Sequence, residues 1–130
     1  MTLQDCISRV DNQLPNQYTT EEKINWLAHL DAKIRHDVID KHLTLDTDGT
    51  PVTLVEFKPY TLDSMTEELI APFPHDELYI SYLKSKIFET NEESNRYNNE
   101  AITFNELMSA FAKEYHKEHP WADDVQYKYW

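Results

Sequence analysis

Between Pro74 and Pro120 the chain contains neither glycine nor proline, and its apolar side chains keep a helical rhythm. Leu83, Ile87, Tyr97, Ala101, Phe104, Met108, Phe111 and Tyr115 follow alternating steps of four and three, with Thr90 and Ser94 holding the frame between them. That spacing brings one side of every turn into a single seam. The seam is a packing signal, and no catalytic pattern in the sequence matches it in strength. On this ground the chain reads as an interaction or assembly protein.

An unbroken helix from His75 to Lys117 would run about 65 Å at the α-helical rise. A compact domain of 130 residues is narrower than that. The polar run Asn91-Glu92-Glu93-Ser94-Asn95 is the natural place for a break, although the frame passes through it without a skip. The length limit and this polar run therefore predict two helices rather than one, against the unbroken frame.

Ahead of this region, Thr2 is placed to cap a first helix in which Leu3, Cys6, Ile7 and Val10 share a face. Asn12 to Gln17, with Pro15 inside, reads as a linker. Thr19 and Glu22 form a capping-box pattern for a second helix, with Ile24, Leu27, Leu30, Ile34 and Val38 on its buried face and Trp26 beside it. Lys41 and His42 are expected near the end of that helix, where the dipole favours cations. The only glycine, Gly49, follows Asp46-Thr47-Asp48 and precedes a β-branched run, Pro51 to Phe57. This predicts a β-hairpin near residues 43–57 turning at Asp48-Gly49. Two strands are marginal alone, so the hairpin has to lean on the helices or on a partner. Leu62 to Ile70 is expected as a short helix capped by Asp63 or Ser64 and stopped by Pro72 and Pro74.

After Pro120 the chain turns strongly aromatic over Trp121 to Trp130. Exposed rings are costly unless they dock, either back on their own domain or as an arm in a neighbouring subunit. The expected fold class is mainly α: a small helical bundle with long C-terminal helices, a short β-hairpin insertion and an extended aromatic C-terminal tail. Residues 1–119 form the helical domain and residues 120–130 the docking tail.

The composition narrows the function classes. Twenty-four acidic against twelve basic residues give a net charge of −12, which repels nucleic-acid phosphates and anionic lipid. Aromatic residues at 12% argue for a packed core despite that charge. With one cysteine, Cys6, no intrachain disulfide can form. The opening residues lack a basic, apolar leader and no stretch reaches transmembrane length, so a soluble protein of a reducing compartment is expected. His29, His36 and Asp40, and separately His116 and His119, lack zinc-ligand spacing, and Asp46-Thr47-Asp48-Gly49 places its glycine too early for a calcium loop. No metal or cofactor is expected. A single glycine also rules out glycine-rich phosphate loops and the nucleophile elbow, and paired acids such as Glu92-Glu93 read as solvated charge. An enzyme is not expected.

Several stretches carry a family resemblance: Met1 to Val10, Pro15-Asn16-Gln17-Tyr18, Lys23 to Leu27, Pro72 to Tyr82, and Arg96-Tyr97-Asn98-Asn99 leading to Phe104-Asn105. Together they resemble small proteins encoded among the head and neck genes of bacteriophages infecting Firmicutes, and the pattern is similar to head–tail connector, or adaptor, proteins. The resemblance implies a mostly helical virion subunit that forms a ring with itself, commonly a dodecamer, under the portal protein. Such a ring joins the portal to the stopper or tail-terminator protein in the neck and lets DNA pass without specific binding. It assembles in the host cytoplasm and involves no membrane. On this reading the partner-binding residues are Trp121, Val125, Tyr127, Tyr129 and Trp130 of the tail, with Val52 and Leu54 of the hairpin. Two alternatives stay open: another neck or tail-completion protein, and an acidic DNA mimic. The mimic is disfavoured because the carboxylates are spread over every segment and mixed with Lys84, Lys86, Lys113 and Lys117.

Overall fold

The computed structural model describes residues 1–119 and Trp121. Four helices, α1 (Leu3–Gln13), α2 (Thr20–Asp37), α3 (Glu77–Thr90) and α4 (Ser94–Glu118), account for most of the chain. Between α2 and α3 lies a long crossover. It contains a 3₁₀ turn (Ile39–Lys41), two short antiparallel strands, β1 (Thr44–Leu45) and β2 (Pro51–Val52), and a second 3₁₀ turn (Leu62–Ser64). The expected class, mainly helical with a small hairpin and long C-terminal helices, is what the fold shows.

Helix α1 starts where its sequence asks it to. The Thr2 hydroxyl accepts from the Asp5 N–H at 3.1 Å, and the Asp5 carboxylate reaches back to the Thr2 N–H. The remaining first-turn donors go to the crossover: Leu3 N–H to the Glu67 carbonyl and Gln4 N–H to the Met65 carbonyl. Leu3, Cys6, Ile7 and Val10 are buried as the spacing predicts. Burial pushes the Cys6 thiol up to about 12, so it behaves as a small apolar side chain. In α2 the Thr19 hydroxyl accepts from the Glu22 N–H at 3.1 Å, and Ile24, Leu27, Leu30, Ile34 and Val38 line the core with Trp26 half-buried beside them.

Helix α3 is the centre of the molecule. It packs against α1, α2 and α4, and it is buried on nearly every side, from Leu78, Tyr79 and Ile80 through Leu83 to Ile87 and Phe88. Each fully buried aliphatic there contributes about 1.5–3 kcal/mol. The predicted break falls between Thr90 and Ser94. The Glu93 N–H bonds to the Phe88 carbonyl and the Glu92 N–H to the Glu89 carbonyl, which is the Schellman arrangement. It requires a left-handed residue, and Glu92 supplies it at φ 61°. The chain then reverses into α4, and both halves of the seam face each other across this turn, which is why the frame survives the break.

The crossover is held by a carboxylate shielded from solvent. Asp31 of α2 is fully buried. Its Oδ2 accepts from the Tyr60 hydroxyl at 2.5 Å and the Ile70 N–H at 3.1 Å, and its Oδ1 accepts from the Tyr79 hydroxyl at 2.6 Å. The Tyr79 oxygen in turn accepts the Ala71 N–H at 2.7 Å. Burial raises the Asp31 pKa while these donors pull it back. One side chain thereby fixes both ends of the 60–71 segment to α2 and α3.

Three expectations need correction. The hairpin is shorter than residues 43–57: the ladder ends at the Thr44–Val52 pair, because the facing chain runs back into the 3₁₀ turn Ile39–Lys41 and His42 bridges Trp121 instead, while the Val55 carbonyl accepts from Arg35 Nη2 at 2.6 Å. Its turn does fall at Asp46–Gly49, where the Asp46 carboxylate accepts from the Asp48 and Thr50 N–H groups, both at 2.9 Å, and Gly49 takes φ 81°. Leu62–Ile70 is not a helix beyond its 3₁₀ turn, which Thr61 caps rather than Asp63 or Ser64. The carbonyls of Met65 and Glu67 that a helix would use internally are given to α1 instead. Finally, α2 ends at Asp37, with Arg35 and His36 in its last turn, and His42 lies past its end in a buried position.

Two predictions follow from these contacts. Replacing Glu92 by Gly relieves the left-handed strain and is expected to stabilise the fold by about 0.5–1 kcal/mol in urea unfolding, whereas Glu92→Val destabilises it. Tyr79→Phe leaves the Ala71 N–H and the Asp31 charge short of partners and should cost about 2–4 kcal/mol. Asp31→Asn removes the buried charge, leaves one hydroxyl unmatched, and should cost less than Tyr79→Phe. The reverse order would show that the carboxylate, rather than its donors, carries the stabilisation.

Candidate interaction surfaces

Beyond the core, three surfaces present apolar or aromatic groups: the outer helix, the hairpin, and the end of α4. Helix α4 is twenty-five residues long and only Phe111 is buried. Phe104, Leu107, Met108, Ala112 and Tyr115 pack against the core but are only half-covered, and the half-buried Tyr97 and Ala101 continue the same stripe toward the start of α4. Phe104 meets Tyr82 at a ring separation of 5.3 Å and Phe111 meets His75 at 5.6 Å. α3 is too short and too deeply embedded to cover the whole stripe, so the seam identified from the sequence is only partly closed within the chain.

The hairpin exposes Leu45, Val52, Leu54 and, most fully, Val55. Val52 lies in β2 and Leu54 two residues beyond it. Both border a groove of about 300 Å³ that also includes Arg35, Ile39, Asp40 and His42. Arg35 is fixed there by an ion pair to Asp40 at 2.8 Å and by the Val55 carbonyl. Phe73, in the turn before α3, is a further exposed ring at 84% and was not singled out from the sequence.

At the far end of α4 the side chains of Tyr115, His116 and His119 gather around His42. Trp121 closes this cluster. Its backbone forms an antiparallel bridge with His42, and its ring centroid lies 4.3 Å from that of His42 and 4.5 Å from that of His116. His116 is held below its ordinary pKa by burial and by the neighbouring His42, and burial raises Tyr115.

His42 therefore joins two groups of partner-binding residues expected from the sequence: it borders the groove of Val52 and Leu54, and it carries Trp121. Of the tail residues, Trp121 docks on its own chain, while Val125, Tyr127, Tyr129 and Trp130 lie outside the described residues. The sequence reading missed the meeting of His42 with His116. No local signal marks it, because the two rings are 74 positions apart.

Among the described residues no group of three or more His, Cys, Asp or Glu side chains is gathered in a way that could hold a metal ion. Among them, too, no helix is long and apolar enough to cross a membrane. Comparison with protein-family models, with curated proteins and with solved structures finds no match to the chain.

The geometry separates residues that serve the fold from residues free to serve a partner. Trp121→Ala is expected to cost about 1–2 kcal/mol in thermal unfolding, because it uncovers two imidazole faces. Val52→Ser and Leu54→Ser should each cost less than about 0.5 kcal/mol, as exposed positions do. A large loss at Val52 or Leu54 would mean that the hairpin is part of the core.

Proposed function

We propose that this chain is a structural virion protein: a head–tail connector, or adaptor, subunit that assembles with copies of itself into a ring between the portal and the stopper or tail. The observation that carries this reading is the half-covered stripe of α4. A helix of that length with a single buried residue leaves Tyr97, Phe104, Leu107 and Met108 short of contacts that a neighbouring copy can supply. The exposed Val52 and Leu54 of the hairpin, and Trp121 bridged to His42, supply further contact elements. A net charge of −12 suits a wall along which DNA slides without adhering. The resemblance of the scattered segments quoted above, from Met1–Val10 to Phe104-Asn105, supplies the choice of a phage neck over other assemblies.

Mixing the purified protein with the portal protein of the same genome, followed by electron microscopy, tests the reading. A ring of copies on one end of the portal is expected, and it should be lost when residues 120–130 are deleted. Association with a tail protein but not with the portal would move the subunit down the neck. Binding to neither would overturn the assignment.

A further inference from the structure

The end of α4 is fastened to the end of α2 by two imidazoles in direct contact. His42 is buried, and its Nδ1 lies 2.7 Å from the Val38 carbonyl oxygen, which makes Nδ1–H the donor. Its Nε2 is then left with a lone pair, which accepts the Nδ1–H of His116 at 2.8 Å. Trp121 lies over both rings, within 20° of parallel to His116.

We propose that the His42–His116 pair is a pH-operated latch, which holds Trp121 and the last turn of α4 against the hairpin side of α2 and releases them when both rings are protonated. The pair takes a first proton on His116 Nε2 with the contact intact and charge-assisted. The second must go to His42 Nε2. It then sets two N–H groups and two positive charges face to face, and the contact cannot persist.

The surroundings do little to offset that charge. On the α2 side Arg35 and Asp40 are paired with each other at 2.8 Å, and Lys41 adds a further positive charge. From β1 the neighbour is Thr44, which is uncharged. On α4, His119 directs Nδ1 to the Tyr115 carbonyl at 3.1 Å and stacks on the Tyr115 ring at 3.7 Å, with Lys117 and Glu118 beside it in sequence. Asp123 and Asp124 follow Trp121 and lie outside the described residues. Among the described residues no carboxylate is paired with either imidazole.

The direction of the linkage is fixed by the second proton, which sets two N–H groups face to face in the docked arrangement and not in the open one. The docked state binds protons less readily than the open one. Docking is therefore complete above the ordinary histidine value, about 6.5, and weakens below it as the second proton binds.

The test is a titration of the 130-residue chain from about pH 8 to about pH 5, following imidazole and indole NMR signals together with helical circular dichroism. His42 and His116 are expected to titrate as a coupled pair in two steps. The Trp121 indole signal should move to its solvent-exposed position with the second step, while helix content stays constant. His116→Phe keeps a ring beneath Trp121 and removes the proton, so its Trp121 signal should stay in place across the range. Independent single-step titrations with a stationary Trp121 signal would overturn the latch. So would an equal shift in His116→Phe, or loss of helix in the same step.

Discussion

A fully buried carboxylate with no cation paired to it among the described residues organises this fold. Asp31 is matched by donors from three places: Tyr60 and Ile70 at the two ends of one crossover stretch, and Tyr79 in the central helix. An ionised group in such a site is tolerated only when its lone pairs are filled, and here the filling groups come from segments far apart in sequence. The crossover has almost no regular structure of its own and buries few side chains, Leu69 and Ala71 among them. Its path between α2 and α3 is set by polar bonds to Asp31, by Arg35 holding the Val55 carbonyl, and by the carbonyls it lends to α1. Without Asp31 the helices would still have their apolar faces, but the crossover would lose its register on them.

The parts of this architecture that could be read from the sequence are those whose cause is local. The buried face of α1 and the core stripe of α2 follow from spacing alone, and the caps Thr2 and Thr19 follow from their own hydroxyls. The break near Asn91–Asn95 was legible because the polar run there has nothing to bury. What could not be read depends on partners distant in the chain. Asp31 sits inside the α2 core stripe, where an acid reads as an interruption, and its tyrosines lie 29 and 48 positions away. The stretch Leu62–Ile70 has helix-like composition, yet it spends its carbonyls on another helix. The β-branched run after Pro51 looks like a strand, but its ladder stops at Val52 because the facing chain turns into a 3₁₀ segment and His42 bridges Trp121. In each case a hydrogen bond to a remote group won over local propensity.

The same distinction applies to the surfaces. The seam on α4 was visible as periodicity, but periodicity does not say whether a face is covered. The structure divides it: the Phe111 end is packed against His75, while the stretch from Tyr97 to Met108 is only half-covered. The hairpin residues Val52 and Leu54 are exposed, and Trp121 is docked, so residues grouped as contact elements by sequence differ in what they do for the isolated chain.

His42 is where these surfaces become dependent on one another. Its carbonyl-fixed ring accepts α4 through His116, supports Trp121 by ring contact and backbone bridge, and borders the groove of Val52 and Leu54. The groove on the hairpin side therefore shares a wall with the contacts of α4 and Trp121. Moving Trp121 changes that wall without touching the Asp31 network, since the two systems share no hydrogen bond among the described residues. The fold thus keeps its core fixed through one buried polar centre and concentrates its adjustable contacts around a second. On the proposed latch, this separation would let the far end of α4 move without disturbing the Asp31 contacts that join α2, α3 and the crossover.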